Sequence, residues 1–343
     1  MYLKTDKYCS RHTNKAKRPM IKKTLLSLLA AVALTVPAIQ AQDPQDLSQR
    51  DEEREAYNAA RRTNTIDGWE IFIHNYPESF YIEQARKMRD NAIVRDYCNR
   101  QITLDRLVNY IEDNETHEPR IKTFYANLVN NPTHSYRYEH MDIGFNGCTG
   151  RVDETITLAD GSPVRHNYFI FDERGLLVKS SITGSRGKAV VTTYDYDYDN
   201  LHGYCLKSVK RGGRTYKYDV FFNENDKLEL ITGDDNHKWV FSYGENGALN
   251  KLVVADASSK RTLVYRDGYI IRCEIGSTAQ RYLYDYDSAT FKKYLIGIVN
   301  QSSPDSTQGR TIEYQIDTKG RITWAKISNS QKEYMTIERT YSK

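Results

Sequence analysis

Tyr168-Phe169-Ile170-Phe171-Asp172-Glu173-Arg174-Gly175-Leu176-Leu177 is the stretch whose reading decides the fold. It is a strand ending on an aromatic residue, a polar turn closed by glycine, and a second strand opening on leucine. The same order returns in Trp239 to Tyr243 followed by Gly244-Glu245-Asn246-Gly247, and in Ile312 to Ile316 followed by Asp317-Thr318-Lys319-Gly320. The residues just before the turns, Phe171, Tyr198, Phe222, Tyr243, Tyr265, Tyr286 and Ile316, are separated by 27, 24, 21, 22, 21 and 30 residues. A period near 21 holds one hairpin of two strands of about five to six residues each plus turns. From about His134 onward the chain is therefore expected to form about fourteen antiparallel strands, as an open sheet, sandwich, propeller or barrel.

Alternation within the strands sorts their faces. Tyr194, Tyr196 and Tyr198 share one face and Asp195, Asp197 and Asp199 the other, and Tyr282, Tyr284 and Tyr286 repeat the pattern. Each large side chain buried on such a stripe contributes about 1.5 to 3 kcal/mol, while the phenolic oxygens still need partners or water.

Upstream the period changes. From about Asp46 to Asn130 apolar residues recur at helical spacing: Trp69, Phe72 and Ile73, then Tyr81, Ala85 and Met88, then Leu104, Leu107, Val108 and Ile111. Pro77 with Glu78-Ser79 makes a stop and a fresh start, and Asn131-Pro132 ends the last helix. An offset of 38 residues aligns Asp67 with Asp105, Trp69 with Leu107, Phe72 with Tyr110 and Ile73 with Ile111, two copies of a helix pair. The fold class is thus segregated α+β: an N-terminal helical repeat module over residues 42–132, then a large antiparallel meander of hairpin repeats over 133–343.

The phrase Phe72-Ile73-His74-Asn75-Tyr76-Pro77-Glu78-Ser79-Phe80-Tyr81 resembles the tetratricopeptide-type repeats of bacterial envelope proteins. The resemblance covers about a quarter of the chain, and the second helix pair lacks the Tyr-Pro-x-Ser turn. Such repeats bind peptides or proteins on a concave helical face, which would place Tyr57, Asn64, Tyr97 and Arg100 in a groove. The hairpins of the second half resemble the YD-type repeats of bacterial surface proteins. They depart from that pattern where Asp226 replaces the turn glycine, where the turn after Tyr265 is one residue shorter, and where Tyr286-Asp287-Ser288 lacks glycine. Those repeats stack into meanders or shells, a resemblance that bears on architecture more than on activity.

Residues 1–41 read as a leader. Lys22 and Lys23 precede the apolar run Thr24 to Pro37, and Ala38-Ile39-Gln40-Ala41 closes it before Gln42, the order of a secretory signal whose true start is Met20. The run is short of the about 20 apolar residues a stable membrane span needs. The formal charge of +4 belongs to this leader, because residues 42–343 hold 41 basic against 44 acidic residues. A clustered basic face is missing, so nucleic acid is not an expected partner. Cys98, Cys148, Cys205 and Cys273 remain after cleavage, open to two disulfides or to buried thiols.

No catalytic, cofactor or metal site is expected. Asp195, Asp197, Asp199 and Asn200 alternate along a strand about 7 Å apart and cannot wrap one ion. Gly233-Asp234-Asp235-Asn236-His237 lacks the full calcium-loop pattern and reads as a turn, as does Thr183-Gly184-Ser185-Arg186-Gly187-Lys188, which lacks the phosphate-loop spacing. His134, His140 and His166 show no ligand spacing and read as surface or hydrogen-bonded histidines. A G-x-S-x-G elbow is absent, whereas a spatial pair of carboxylates stays open. Trp239 and Trp324 are the candidates for stacking on a glycan, although tryptophan on alternating strands belongs more often to a core.

The expected function is protein or peptide binding or scaffolding in the periplasm or at the cell surface. The alternatives are a glycan-binding or glycan-cleaving protein and a shell-type domain of a larger surface assembly. N-terminal sequencing of the secreted form should begin at Gln42; a chain retaining Met20 to Ala41 would instead be anchored.

Overall fold

The computed structural model describes residues 44–113, 119–139, 143–145, 147–184, 186–199, 201–288, 292–300, 309–329 and 332–343. The expected leader with its cleavage point at Ala41 and Gln42, and His140, Ser185 and Asn200, lie outside them. Residues Arg50–Lys343 form one compact unit.

The described helices come first: α1 Pro44–Thr63, α2 Ile66–Asn75, α3 Ile82–Cys98, α4 Leu104–Asp113, α5 Pro119–Asn130 and α6 Ser135–Glu139. α2 begins where the Thr65 hydroxyl accepts from Gly68 N at 3.1 Å, which satisfies one of the unpaired donors of a helix start. Of the residues with helical spacing, Trp69, Phe72, Ala85, Leu104, Leu107 and Val108 are buried in one cluster, and Ile73, Tyr81, Met88 and Ile111 are partly buried against it. The 38-residue offset carries α2 onto α4 end to end, and it buries Trp69 and Leu107 alike.

Sixteen strands follow among the described residues. They are β1 Gly150–Leu158, β2 Arg165–Phe171, β3 Leu177–Thr183, β4 Ala189–Asp199, β5 Gly203–Arg211, β6 Arg214–Phe222, β7 Leu228–Gly233 and β8 Lys238–Tyr243. Then come β9 Leu249–Ala255, β10 Lys260–Arg266, β11 Tyr269–Ile275, β12 Thr278–Asp287, β13 Lys292–Asn300, β14 Arg310–Ile316, β15 Ile322–Asn329 and β16 Lys332–Ser342. Each is antiparallel to its neighbour in sequence, and β1 pairs with β16 from Arg151↔Ser342 to Leu158↔Met335, so the sheet closes into a barrel without edges. The seven pre-turn residues sit at the ends of β2, β4, β6, β8, β10, β12 and β14. Counting turns finds β2 to β15 and misses β1 and β16, which meet without a turn between them.

The aromatic-Asp-x-x-Gly phrase is turn chemistry. Asp172 Oδ1 accepts from Arg174 N at 2.9 Å and Leu176 N at 3.0 Å, and Asp317 Oδ1 accepts from Lys319 N and Arg321 N, both at 2.9 Å. The fourth turn position has φ +76° at Gly175 and +57° at Asp226, a region glycine enters freely and aspartate tolerates. At the end of each such strand the register slips, as between Ile170 and Phe171, Phe221 and Phe222, and Gln315 and Ile316. Bulges of this kind increase local twist, which closure of the ring requires.

The buried face is the lumen. Leu206, Phe241, Leu252, Leu263, Tyr282, Ile312, Ala325 and Ile337 come from strands around the ring and join one cluster. The alternating positions Asp195, Asp197, Lys217, Asp219, Glu313 and Glu338 are exposed on the outer wall. A membrane barrel carries an outward apolar band about 25 Å tall, and this charged wall is the inverse of one. Among the described residues, no helix is long and apolar enough to cross a membrane.

The helices cap the barrel end that carries the turns after β2, β4 and β6. Tyr97 donates to Arg174 O at 2.8 Å and Asn131 Nδ2 to Tyr204 O at 3.2 Å. Asn127 donates to Asp226 O at 2.8 Å while its own carbonyl accepts from Leu228 N at 3.0 Å. From the cap the chain enters the lumen. Asn131, Thr133, His134, Ser135 and Arg137 are buried, Thr133 O accepts from Leu177 N at 3.0 Å, and Arg137 lies 4.6 Å over the Tyr265 ring on the opposite wall. Further on, Arg339 donates to Glu154 at 2.9 Å and Ile143 O at 2.8 Å, with its guanidinium over Phe145.

Two predictions follow from the cap. Asn127→Ala strands a buried N–H and a carbonyl and should cost about 2 to 5 kcal/mol in urea unfolding, and Asn127→Asp, which keeps the acceptor but turns a carboxylate oxygen on the Asp226 carbonyl, should not restore it at pH ~7. His134 Nδ1 accepts from Tyr136 N at 3.1 Å and Nε2 donates to Arg174 O at 2.9 Å, so the ring is held neutral. Burial pulls its pKa down to about 4 from 6.5. The unfolded chain therefore takes up this proton first, and on the order of 3 kcal/mol of stability, complete above pH ~6.5, is lost as pH falls towards ~4. The gap in stability between wild type and His134→Gln should accordingly shrink from pH 7 to pH 4.5; a constant gap would contradict the assignment.

Candidate functional site

Of the residues singled out in the helical half, Tyr57 and Asn64 lie within its own packing, Tyr97 bonds to the turn after β2 and Arg100 is exposed. Tyr57 stacks on Tyr81 at 4.5 Å and meets Trp69 and Phe72. Asn64 accepts from Trp69 Nε1 at 3.0 Å, Tyr97 is fully buried, and Arg100 is exposed at φ +60°. Trp324 stands on the outer wall opposite Gln315 and Glu338. Trp239 faces the lumen and is packed on the barrel core, so the two tryptophans are not brought together.

Trp239 lines a cavity of about 360 Å³ with Tyr194, Tyr218, Arg211, His237 and Thr133 among its walls. Gly184 and His237 belong to the turns after β3 and β7, and Arg211 ends β5, so the cavity opens at the barrel end opposite the helical cap. The Trp239 ring lies 5.9 Å from His237 and 5.8 Å from Tyr218. Asp235 organises the polar edge. It accepts from Tyr218 Oη at 2.8 and 3.0 Å and from Arg211 at 3.4 Å, and His237 Nδ1 stands 2.9 Å from it. Burial, then the hydrogen bond to the Asp235 carboxylate, raises the Tyr218 pKa far above a phenol's ordinary value, so Tyr218 stays a donor. The turn that carries Asp235 closes with Gly233 N donating to His237 O at 2.8 Å.

The comparisons with known proteins are partial. No family model and no curated protein matches the chain. Among solved structures it is similar to a porin-like protein from Bacteroides uniformis, at 12% identity and TM-score 0.30, covering 57% of this chain and 98% of that one. It is also similar to a TcdB2-TccC3 structure, at 14% identity and TM-score 0.24, covering 56% of this chain and 11% of that one. A Photorhabdus luminescens Tc holotoxin pore gives 14% identity and TM-score 0.24, over 54% of this chain and 11% of that one.

The cavity gathers residues that sequence reading passed over. Gly233-Asp234-Asp235-Asn236-His237 is the expected turn, but its Asp235 and His237 side chains meet Tyr218 and Arg211 from β6 and β5, a meeting that local spacing does not encode. Cys98, Cys148, Cys205 and Cys273 are thiols without a disulfide among them. Burial, with Asp199 and Asp197 nearby, pushes Cys205 up to about 11, and burial raises Cys98, so neither is a ready nucleophile. A smaller hollow of about 170 Å³ lies between α3 and α5, lined by Lys87, Asn91, Arg120 and Phe124.

Gly233 has a steric duty. A Cβ there would stand 2.5 Å from Asp235 Oδ1 and 2.6 Å from the Tyr218 ring. Gly233→Ala is expected to displace both and shift Trp239 fluorescence while leaving the far-ultraviolet circular dichroism of the barrel in place.

Proposed function

We propose that the chain is an exported, non-catalytic binding protein of the cell envelope that holds a saccharide ring against Trp239 in the barrel mouth. The observation that carries the reading is the open cavity of about 360 Å³ in which Trp239 stands beside a polar edge organised by Asp235. An aromatic face next to fixed donors suits a sugar, whose ring offers an apolar face and hydroxyls at its rim. Binding is favoured over cleavage because Asp235, behind the wall, is engaged by Tyr218 and Arg211, and among the described residues no carboxylate lines the cavity. The signal-like leader and the two repeat resemblances support an envelope or surface location.

The test is titration of the mature chain with saccharides from its own envelope, read by calorimetry and tryptophan fluorescence. Saturable binding that Trp239→Ala weakens by about tenfold or more, some 1.4 kcal/mol, while Trp324→Ala leaves it unchanged, is the expected result. Absence of binding, or equal loss with both variants, would overturn the reading and favour a shell-type role.

A protein partner has separate support in Phe80, 93% exposed, and Ile71, 62% exposed, both in the α2 to α3 hairpin. If that surface docks an envelope protein, Phe80→Ser with Ile71→Ser should abolish its co-purification; unchanged co-purification would contradict it.

A further inference from the structure

A second cavity, of about 400 Å³, opens at the same end of the barrel on the side of β10 to β16. Its floor is aliphatic, built from Ile143, Leu295, Ile298, Ile312, Ile327 and Ile337. Its rim carries Arg261, Gln280 and Arg310, each within two residues of the end of its strand at the mouth. Thr133 borders the first cavity and Ile143 the second.

The two rim arginines break the rule of the barrel. Alternation puts Arg261 on the face of Leu263 and Tyr265, and Arg310 on the face of Ile312, which is the lumen side. Arg261 is half-buried and Arg310 exposed, so both guanidiniums stand at the mouth, in reach of solvent and of a ligand's head. Among the described residues, neither guanidinium has an acidic partner; Arg310 rests 5.7 Å over the Tyr334 ring. The acid deeper in this part of the lumen, Glu154, is engaged by Arg339 at 2.9 Å and Asn167 at 3.0 Å. Arg339 is likewise spent on Glu154 and the Ile143 and Gly144 carbonyls. The cavity thus sets two cations that have no acidic partner among the described residues above a mainly aliphatic floor.

We propose that this cavity binds the carboxylate and hydrocarbon chain of a fatty acid. The head would take the two guanidiniums, whose planar forks match a carboxylate. The chain would bury against the isoleucines, where each methylene contributes about 0.8 kcal/mol. A volume of about 400 Å³ falls inside the range of about 300 to 1,000 Å³ of small-molecule sites. The site is independent of the saccharide reading, since it shares no lining residue with the Trp239 cavity.

The experiment titrates the mature protein, below micelle formation, with dodecanoate, with dodecanol and with acetate, by calorimetry. Dodecanoate should bind one to one, dodecanol about tenfold or more weaker, and acetate not measurably. Arg261→Gln with Arg310→Gln should bring dodecanoate down to the affinity of dodecanol, and Trp239→Ala should leave it unchanged. A second variant, Ile312→Phe, narrows the floor and should weaken both long-chain probes together; its melting temperature, compared with wild type, reports that it is folded. Equal binding of dodecanoate and dodecanol, loss of binding in Trp239→Ala but not in the arginine pair, or no binding to wild type would each overturn the proposal.

Discussion

A ring of sixteen strands is too wide to be filled by its own inward side chains; rings of that size leave a channel unless something occupies them. Here the described occupants are residues 131–137 and 143–145. Thr133 takes the Leu177 N–H and the Tyr196 hydroxyl, Arg137 reaches the Tyr265 ring, and Phe145 packs on Phe169 at 4.7 Å. These contacts touch β3, β4, β10 and β2, so the buried residues tie together walls that the ladder alone would leave apart. The charged positions of the outer wall and the apolar lumen are the two faces of that ladder.

Because residues 131–137 enter from the capped end, that end is closed and the other is not. The cap is fastened by side chain to backbone bonds at turn after turn: Tyr97 to Arg174, Asn131 to Tyr204, Asn127 to Asp226 and Leu228. Each contributes about 1 kcal/mol net, but leaving its buried partner unmet costs more. The turn glycines serve the same junction. A Cβ at Gly175 would stand 2.8 Å from both Leu104 and Ser135, and one at Gly203 would stand 3.0 Å from Phe124. What is left open is the far mouth, divided between the Trp239 cavity and the arginine-rimmed one.

The segregated α+β order, the helix pairs, the seven aromatic hairpins and the polar outer face of β4 were legible in the sequence, because each rests on local period or local turn chemistry. Closure was not. The pairing of β1 with β16 joins Arg151 to Ser342 across nearly the whole β region and carries no turn signature. His134 reads in the sequence as a surface or hydrogen-bonded histidine; it is the hydrogen-bonded kind, and only the lumen decides that it is fully buried. The site was half legible. Trp239 stood out by type, while Asp235, His237, Tyr218 and Arg211 acquire meaning only when three strands and a turn bring them within reach.

The central claim is that helices, lumen segment and barrel wall form one cooperative structure. Hydrogen exchange of the mature chain, read by mass spectrometry across a denaturant series, tests it most directly. The amides of α3, α5, residues 131–137 and β4 to β7 should open together, at one free energy, and all should lose protection together in Asn127→Ala. Helical amides that exchange at low denaturant while β4 to β7 keep their full protection would contradict the account.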